Sequence, residues 1–242
     1  VTLPIFIGYD AREPEAYDVC RASLLRHASV PLHIVKLDQA GLRQAGWYSR
    51  EWSAVNGNRI DLGDFKPFST DFAFTRFLVP ALSLYQGWAL FCDGDFLFTE
   101  DVAKLFALAD DRMAAMCVKH DHDPRETTKM YGVVQSRYRR KNWSSLVLWN
   151  CSHPSNKMLT GYVVNQFAGQ WLHAFSWLPD EEIGDLPLGW NWLSGVSPAL
   201  EGHVPEGVHF TLGIPSMAGH EKAPYAELWQ AVRASIDATE RN

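Results

Sequence analysis

The chain has 242 residues, of which 47% are hydrophobic and 21% charged; this excludes a disordered protein and suits one large α/β domain or two small ones. A formal charge of -6 argues against broad polyanion binding, while leaving room for a local basic pocket. Aromatic content is 13%, with 10 Trp, and surplus Trp and Tyr often line surfaces that stack on sugars, bases or apolar partners.

Cys20, Cys92, Cys117 and Cys151 show no short paired spacing and sit beside apolar residues, so they read as buried free thiols of a reducing compartment. No secretory leader is read. The most apolar window, Phe72 to Phe91, is broken by Arg76 and Pro80 and is not expected to span a membrane. The expected location is cytoplasmic. Peripheral membrane contact and oligomeric state stay open, although no basic amphipathic anchor is evident.

In chain order, Leu3 to Tyr9 predicts a first strand, followed by the Asp10-Ala11-Arg12-Glu13-Pro14 turn. Glu15 to Arg26 predicts a helix with Ala16, Val19, Ser23 and Leu24 inward, and Leu32 to Leu37 a second strand. Strand, helix, strand is a βαβ unit and implies a parallel sheet covered by helices. Ligands of such sheets bind beyond the carboxyl ends of strands, which places Tyr9 to Arg12 at a binding edge. Residues 40 to 68 read as an irregular excursion with a short helix. Helical sequence is expected from Ser69 through Leu78, with Pro80 opening or kinking the next helix.

Further on, Trp88 to Phe91 predicts a strand, Asp101 to Ala109 a short helix and Ala114 to Val118 another strand. Lys119 to Lys141 reads as a charged loop or mobile helix carrying Arg137, Arg139 and Arg140. Ser145 to Trp149 predicts a strand, Lys157 to Gln166 and Gln170 to Trp177 mix helix and turn signals, and Tyr225 to Ala238 predicts an amphipathic helix.

The strand at Leu90 runs into Asp93-Gly94-Asp95 and apolar sequence resumes at once. Alternation puts both carboxylates on one side of an extended segment, and Gly94 lets the chain bend or something approach closely. Two buried like charges are costly unless a cation neutralises them, and such carboxylates suit Mg²⁺ or Mn²⁺. A polar strand end in water is the plain alternative. Among nine histidines, His209 is the best third ligand, lying in a short apolar strand before a Gly/Pro turn; an ordinary core or edge histidine is the alternative. His120-Asp121-His122-Asp123 is a rival ligand cluster that reads better as a solvated loop. Arg76, in apolar surroundings, needs either an internal carboxylate or a substrate phosphate. Dinucleotide-binding, P-loop, nucleophile-elbow and zincin motifs are absent.

Four segments together resemble the GT-A class of nucleotide-sugar glycosyltransferases, and most closely family 8, the galactosyltransferase and glycogenin-like group. They are Ile5-Phe6-Ile7-Gly8-Tyr9-Asp10, Thr75-Arg76-Phe77-Leu78-Val79-Pro80, the Asp-x-Asp of Phe91-Cys92-Asp93-Gly94-Asp95, and Val208-His209-Phe210. The resemblance implies that Asp93, Asp95 and His209 hold Mn²⁺ (or Mg²⁺) against the diphosphate of a UDP-sugar. Ile7, Gly8, Tyr9, Asp10 and Arg12 would meet the nucleoside, with Gly94 beside them, and Arg76 would face the donor's phosphate or sugar side. It further implies transfer with retention.

Departures from the family pattern are visible. Asp180-Glu181-Glu182 stands where Asp-Gln-Asp is usual, so Asp180 and Glu181 are expected near the sugar with an altered middle residue; acids capping a surface turn are the alternative. Trp143-Ser144-Ser145 replaces Asn-Ala-Gly, which puts Ser144 in the donor pocket. Gly213-Ile214-Pro215-Ser216 lacks the usual lysine, so either Lys222 folds back as the phosphate grip or the grip is absent. Trp190 and Trp192 are either sugar-stacking rings or core.

The expected fold is α/β and GT-A-like, with a mostly parallel central sheet flanked by helices and a more irregular acceptor-side lobe. Residues 1-242 read as a single domain, 1-118 forming the nucleotide-binding half and 119-242 the acceptor-side half. The expected activity is hexose transfer from a UDP-sugar to a carbohydrate or lipid-linked acceptor. The alternatives are a sugar nucleotidyltransferase and a non-catalytic carbohydrate-binding protein on the same fold; nucleic acid is not an expected partner.

Overall fold

Leu3–Gly8 (β1) is apolar and almost entirely buried, as a strand covered on both faces must be. The chain turns into α1 (Pro14–His27), where Pro14 takes an early position that lacks an N–H acceptor in any case. Its buried face is Ala16, Val19, Cys20, Ser23 and Leu24, the predicted stripe with Cys20 added. β2 (Leu32–Leu37) then lies parallel to β1, Leu3 opposite Leu32 and Gly8 opposite Leu37. The computed structural model describes residues 1–120, 140 and 142–240. Most of the charged segment from Lys119 to Lys141, including Asp121, His122 and Asp123 of the rival ligand cluster, lies outside the described residues.

Asp38 caps the short α2 (Gln39–Gln44), its carboxylate accepting from the Ala40 and Gly41 N–H groups. The stretch expected to be irregular instead builds an antiparallel three-stranded sheet of β3 (Trp52–Val55), β4 (Asn58–Asp61) and β5 (Pro67–Phe68). Asn56 and Gly57, at φ 51° and 79°, supply the two left-handed residues that a tight hairpin turn requires. Arg50 and Asp61 bind this sheet inward through a pair at 2.6 Å, each side chain 2% exposed. Helical backbone starts at Thr75 rather than Ser69, as a 3₁₀ turn over Thr75–Leu78 leading into α3 (Val79–Leu82).

β6 (Trp88–Cys92) and β7 (Phe96–Phe98) flank the acid pair, and α4 (Val102–Phe106) and β8 (Ala115–Cys117) follow. After the charged segment come β9 (Leu146–Asn150), α5 (Gly161–Gln166), α6 (Gly169–His173), β10 (Ile183–Asp185), β11 (Trp192–Leu193), β12 (Gly207–His209) and α7 (Ala226–Glu240). The main sheet has six strands in the order β10-β8-β9-β6-β1-β2. β9 is antiparallel to both its neighbours and the other strands share one direction. β11, β12 and β7 form a second sheet, with β12 parallel to β11 and antiparallel to β7. The architecture is α/β, with a mixed, largely parallel sheet between helices and an irregular lobe, as in GT-A-like folds.

Phe77, Phe91, Trp149 and Phe175 fill the core on one side of the main sheet. Ile5, Ile7, Leu90 and Phe96 fill the other, and a third cluster joins Val19, Leu97, Val208 and Trp229 under the last helix. Trp190 and Trp192 are buried at 4% exposure each, so both are core rings and neither stacks on a sugar. All four cysteines are free and buried. Among the described residues, no helix is long and apolar enough to cross a membrane.

Candidate metal and donor site

β6 ends at Cys92 because the chain must cross from the main sheet to β7 of the second sheet. Asp93, Gly94 and Asp95 make that crossing. The Asp93 N–H donates to the Ser145 carbonyl at 2.9 Å, and the Phe210 N–H donates to the Asp95 carbonyl at 3.0 Å. Gly94 lies so close to β1 that a Cβ there would stand 2.5 Å from the Gly8 carbonyl oxygen. Only glycine fits such a backbone approach.

The register of β12 against β7 brings in the third group. His209 lies directly opposite Phe96, the residue after Asp95, and its ring stacks on Phe96 at 4.5 Å. His209 Nε2 stands 3.3 Å from Asp95 Oδ1 and 4.0 Å from Asp93 Oδ2. One ligand atom from each of Asp93, Asp95 and His209 falls within 4.8 Å of the others. Two carboxylate oxygens and one imidazole nitrogen suit a divalent ion such as Mn²⁺ or Mg²⁺.

Arg76 stands behind the acids. Its Nη1 lies 2.8 Å from Asp93 Oδ1 and donates to the Ser144 carbonyl at 2.8 Å, while its guanidinium packs over the Phe72 and Phe91 rings. The internal carboxylate is therefore its partner. Burial raises the Asp95 carboxyl, but His209 and Arg76 more than offset this and hold it below the usual carboxylate range. Asp95 Oδ1 is buried and faces His209 Nε2 at 3.3 Å, with no closer hydrogen bond among the described residues. Two largely buried carboxylates converging on one imidazole nitrogen are what a cation would satisfy, so the residues present fit a metal.

The other expected site residues fall into two groups. Ile7 is buried in β1 between Lys36 and Cys92. Tyr9 packs edge-on against Tyr17, with the Lys36 ammonium 4.3 Å from its ring centre. Asp10 is buried, and its carboxylate accepts from the Arg12 N–H at 3.0 Å, Arg12 Nε at 3.0 Å, Arg12 Nη2 at 2.7 Å and the Asp71 N–H at 3.1 Å. Burial pushes the Asp10 carboxyl up, but these donors hold it below the usual range. Arg59 bridges this acid to Asp71 at 2.8 Å. Ser144 joins the group through Arg76, and its Oγ meets His173 Nδ1 at 2.8 Å.

Asp180, Glu181, Gly213 and Lys222 remain. The Ala114 N–H, at the entry to β8, donates to the Glu182 carbonyl. By strand register Asp180 and Glu181 therefore sit at the end of the sheet opposite Asp93. Asp180 pairs with Arg140, which also donates to the Ala174 carbonyl; Glu181 is exposed, and His173 stands beside Ser144. Gly213 packs against His220, whose ring would lie 2.6 Å from an added Cβ. Lys222 is exposed in the turn before α7. Sequence reasoning also missed Asn191, fully buried and bonded to both His209 and Ser145; its place between two core tryptophans was the available signal.

No family model matches the chain. Protein CDI of Arabidopsis thaliana is 46% identical over 228 residues, covering 93% of this chain and 83% of its own length. The chain belongs to the Protein CDI family. Solved structures share its fold at much lower identity. The glycosyltransferase GlyE of Streptococcus pneumoniae TIGR4 superposes over 96% of the chain with a TM-score of 0.61 at 15% identity. The galactosyltransferase LgtC, in complex with donor and acceptor sugar analogs, does so over 96% of both chains at 0.58 and 11%. The chain spans 60% of GlyE and 50% of the bifunctional WbbM, which it matches at 0.60. At these identities the likeness establishes the GT-A-like fold, and the finer assignment to glycosyltransferase family 8 is not established by it.

Proposed function

We propose that this protein is a metal-dependent glycosyltransferase that moves a hexose from a UDP-sugar to a carbohydrate or lipid-linked acceptor. The buried cluster of Asp93, Asp95 and His209 carries this reading, because it lies beyond the carboxyl end of β6, where sheets of this kind bind ligands. Asp93, Asp95 and His209 would hold Mn²⁺ or Mg²⁺, which when bound supplies charge stabilisation to a departing diphosphate.

The chain's own groups prepare the site for that charge. Arg76 fixes Asp93 through a buried pair and adds a preorganised positive charge behind it. Tyr9 and Arg12, at the end of β1, would meet the nucleoside. Asp10 would act by holding Arg12, since a carboxylate offers about four acceptor directions and Asp10 already accepts from the groups around it. Ser144 and His173, bonded beside Arg76, would border the sugar. Asp180 and Glu181, in the 3₁₀ turn Asp180–Glu182 before β10, are assigned no part in transfer. Because β12 of the second half completes a site begun on β6, residues 1-118 and 119-242 are proposed as parts of a single domain, and retention is the proposed stereochemical outcome.

Isothermal titration of UDP, with and without Mn²⁺ and on Asp95→Ala, tests the site. Metal-dependent binding lost in the variant is expected; binding indifferent to both would overturn it. A panel of UDP-sugars scored for slow hydrolysis with Mn²⁺ then names the donor. Release of pyrophosphate from a nucleoside triphosphate would reassign the protein as a nucleotidyltransferase.

A further inference from the structure

His209 is held by a short line of hydrogen bonds whose directions can be deduced from chemistry. Ser145 Oγ lies 2.9 Å from the Asn142 carbonyl. A carbonyl only accepts, so the single hydroxyl proton of Ser145 points at Asn142. Ser145 Oγ must then accept from its other neighbour, Asn191, 2.9 Å away, and the group facing it is the amide Nδ2. That orientation turns Asn191 Oδ1 toward His209 Nδ1 at 3.1 Å. Reversing the amide would set two acceptors against each other on the Ser145 side. When the ring carries a single proton, as metal ligation requires, that proton therefore sits on Nδ1, and the Nε2 lone pair faces Asp95 and Asp93.

Asn191 and Ser145 each lie in a 3₁₀ turn directly before a strand, and His209 ends β12. Asn191 ends the 3₁₀ turn Leu188–Asn191 that runs into β11, which pairs with β12. Ser145 precedes β9, and its carbonyl also receives the Asp93 N–H. Asn191 is 0% exposed, Ser145 5% and His209 3%, so water does not compete for these bonds.

We infer that Asn191, oriented by Ser145, is the positioning residue that fixes the His209 tautomer and points its Nε2 lone pair at the two acids. This rests on the metal reading of the site for its functional meaning. A metal-ligating histidine commonly donates its other ring N–H to such a partner, and removing the partner typically weakens metal affinity by about 10- to 100-fold.

The test has two arms. Imidazole ¹⁵N NMR of the metal-free protein reads the tautomer, and Mn²⁺ titration followed by electron paramagnetic resonance reads affinity. At a pH where the ring holds a single proton, the unaltered protein should show a protonated Nδ1 and a bare Nε2. Asn191→Leu should lose this fixed tautomer and weaken Mn²⁺ by about 10- to 100-fold, while Asn191→Asp, which keeps an acceptor toward Nδ1, should retain both. Ser145→Ala removes only a hydroxyl and covers the case in which Asn191→Leu fails to fold; it should lower affinity and let the tautomer mix. A singly protonated ring with its proton on Nε2 and Nδ1 bare in the unaltered protein, or a tautomer and affinity unmoved in Ser145→Ala and Asn191→Leu, would overturn the inference. Failure of the unaltered protein to bind Mn²⁺ would overturn the metal reading instead, and the metal-free spectra would still decide the tautomer.

Discussion

Arg76 Nη1 lies 2.8 Å from Asp93 Oδ1, with the two side chains only 7% and 14% exposed. Further bonds to the Phe72 and Ser144 carbonyls fix the guanidinium plane, so one side of the acid pair is rigid before any ligand arrives.

Removing one partner of a buried ion pair leaves the other charge uncompensated. Arg76→Ala is therefore expected to destabilise the protein by about 3–5 kcal/mol, read by urea denaturation. Arg76→Lys should recover part of this, since a lysine keeps the charge but not the planar fork. A loss in Arg76→Ala below about 1 kcal/mol would show that the pair behaves as a solvated surface contact.

Asp10 makes stability depend on acid. Its folded carboxyl lies below the ordinary value of 3.8 despite burial, because Arg12 and backbone N–H groups bind the charged form. The stabilisation is fully present above that ordinary value and is lost as pH falls through the lower folded value. Asp10→Asn should therefore be less stable than the unaltered protein near neutrality, with the gap closing at strongly acidic pH. Thermal melts across pH read both variants; a gap that stays constant into acid would contradict the assignment.

At Gly94 a methyl group would meet the Gly8 carbonyl at 2.5 Å, a backbone atom that cannot swing away. Gly94→Ala is expected to cost about 1–3 kcal/mol and to displace Asp93 and Asp95. Gly41→Ala is the control. Its added Cβ would lie 3.5 Å from a flexible Asp38 oxygen, so its effect should stay within about 1 kcal/mol of neutral. Similar losses in the two variants would remove close packing as the cause.

The cysteines should be silent toward alkylating reagents while the protein is folded. Burial pushes the Cys117 thiol up to about 12 and Cys151 to about 11, and raises Cys92, which faces Cys20 at 3.9 Å. The thiolate is the reactive form. Mass spectrometry after labelling at mildly alkaline pH should find all four modified only in denaturant. Labelling of Cys92 in the native state would contradict the packing described.

Much of the donor half was legible because its signals are local. The apolar run Leu3–Gly8, the stripe of α1 and the return at Leu32 are consecutive, and a glycine between two aspartates announces a close backbone approach. The short sheet of β3 to β5 was not read, although Asn56-Gly57 was a usable hairpin sign, because its strands are only two to four residues long. Arg76 could be narrowed to two partners but not assigned, since Asp93 reaches it only through tertiary packing. Asn191 and Arg59 act through residues far away in sequence, and no spacing rule reveals such pairs. The place of Asp180 and Glu181 has the same origin: the strand register that decides it is a property of the assembled sheet.

The strand that carries His209 leaves the ribosome long after the turn that carries Asp93 and Asp95. Until β12 seats against β7, Asp93 and Asp95 share one turn without the imidazole that closes their cage. Tight capture of a cation thus has to await a late event in the life of the nascent chain. Protection from protease conferred by such an ion would then report completed folding rather than the early collapse of the βαβ half.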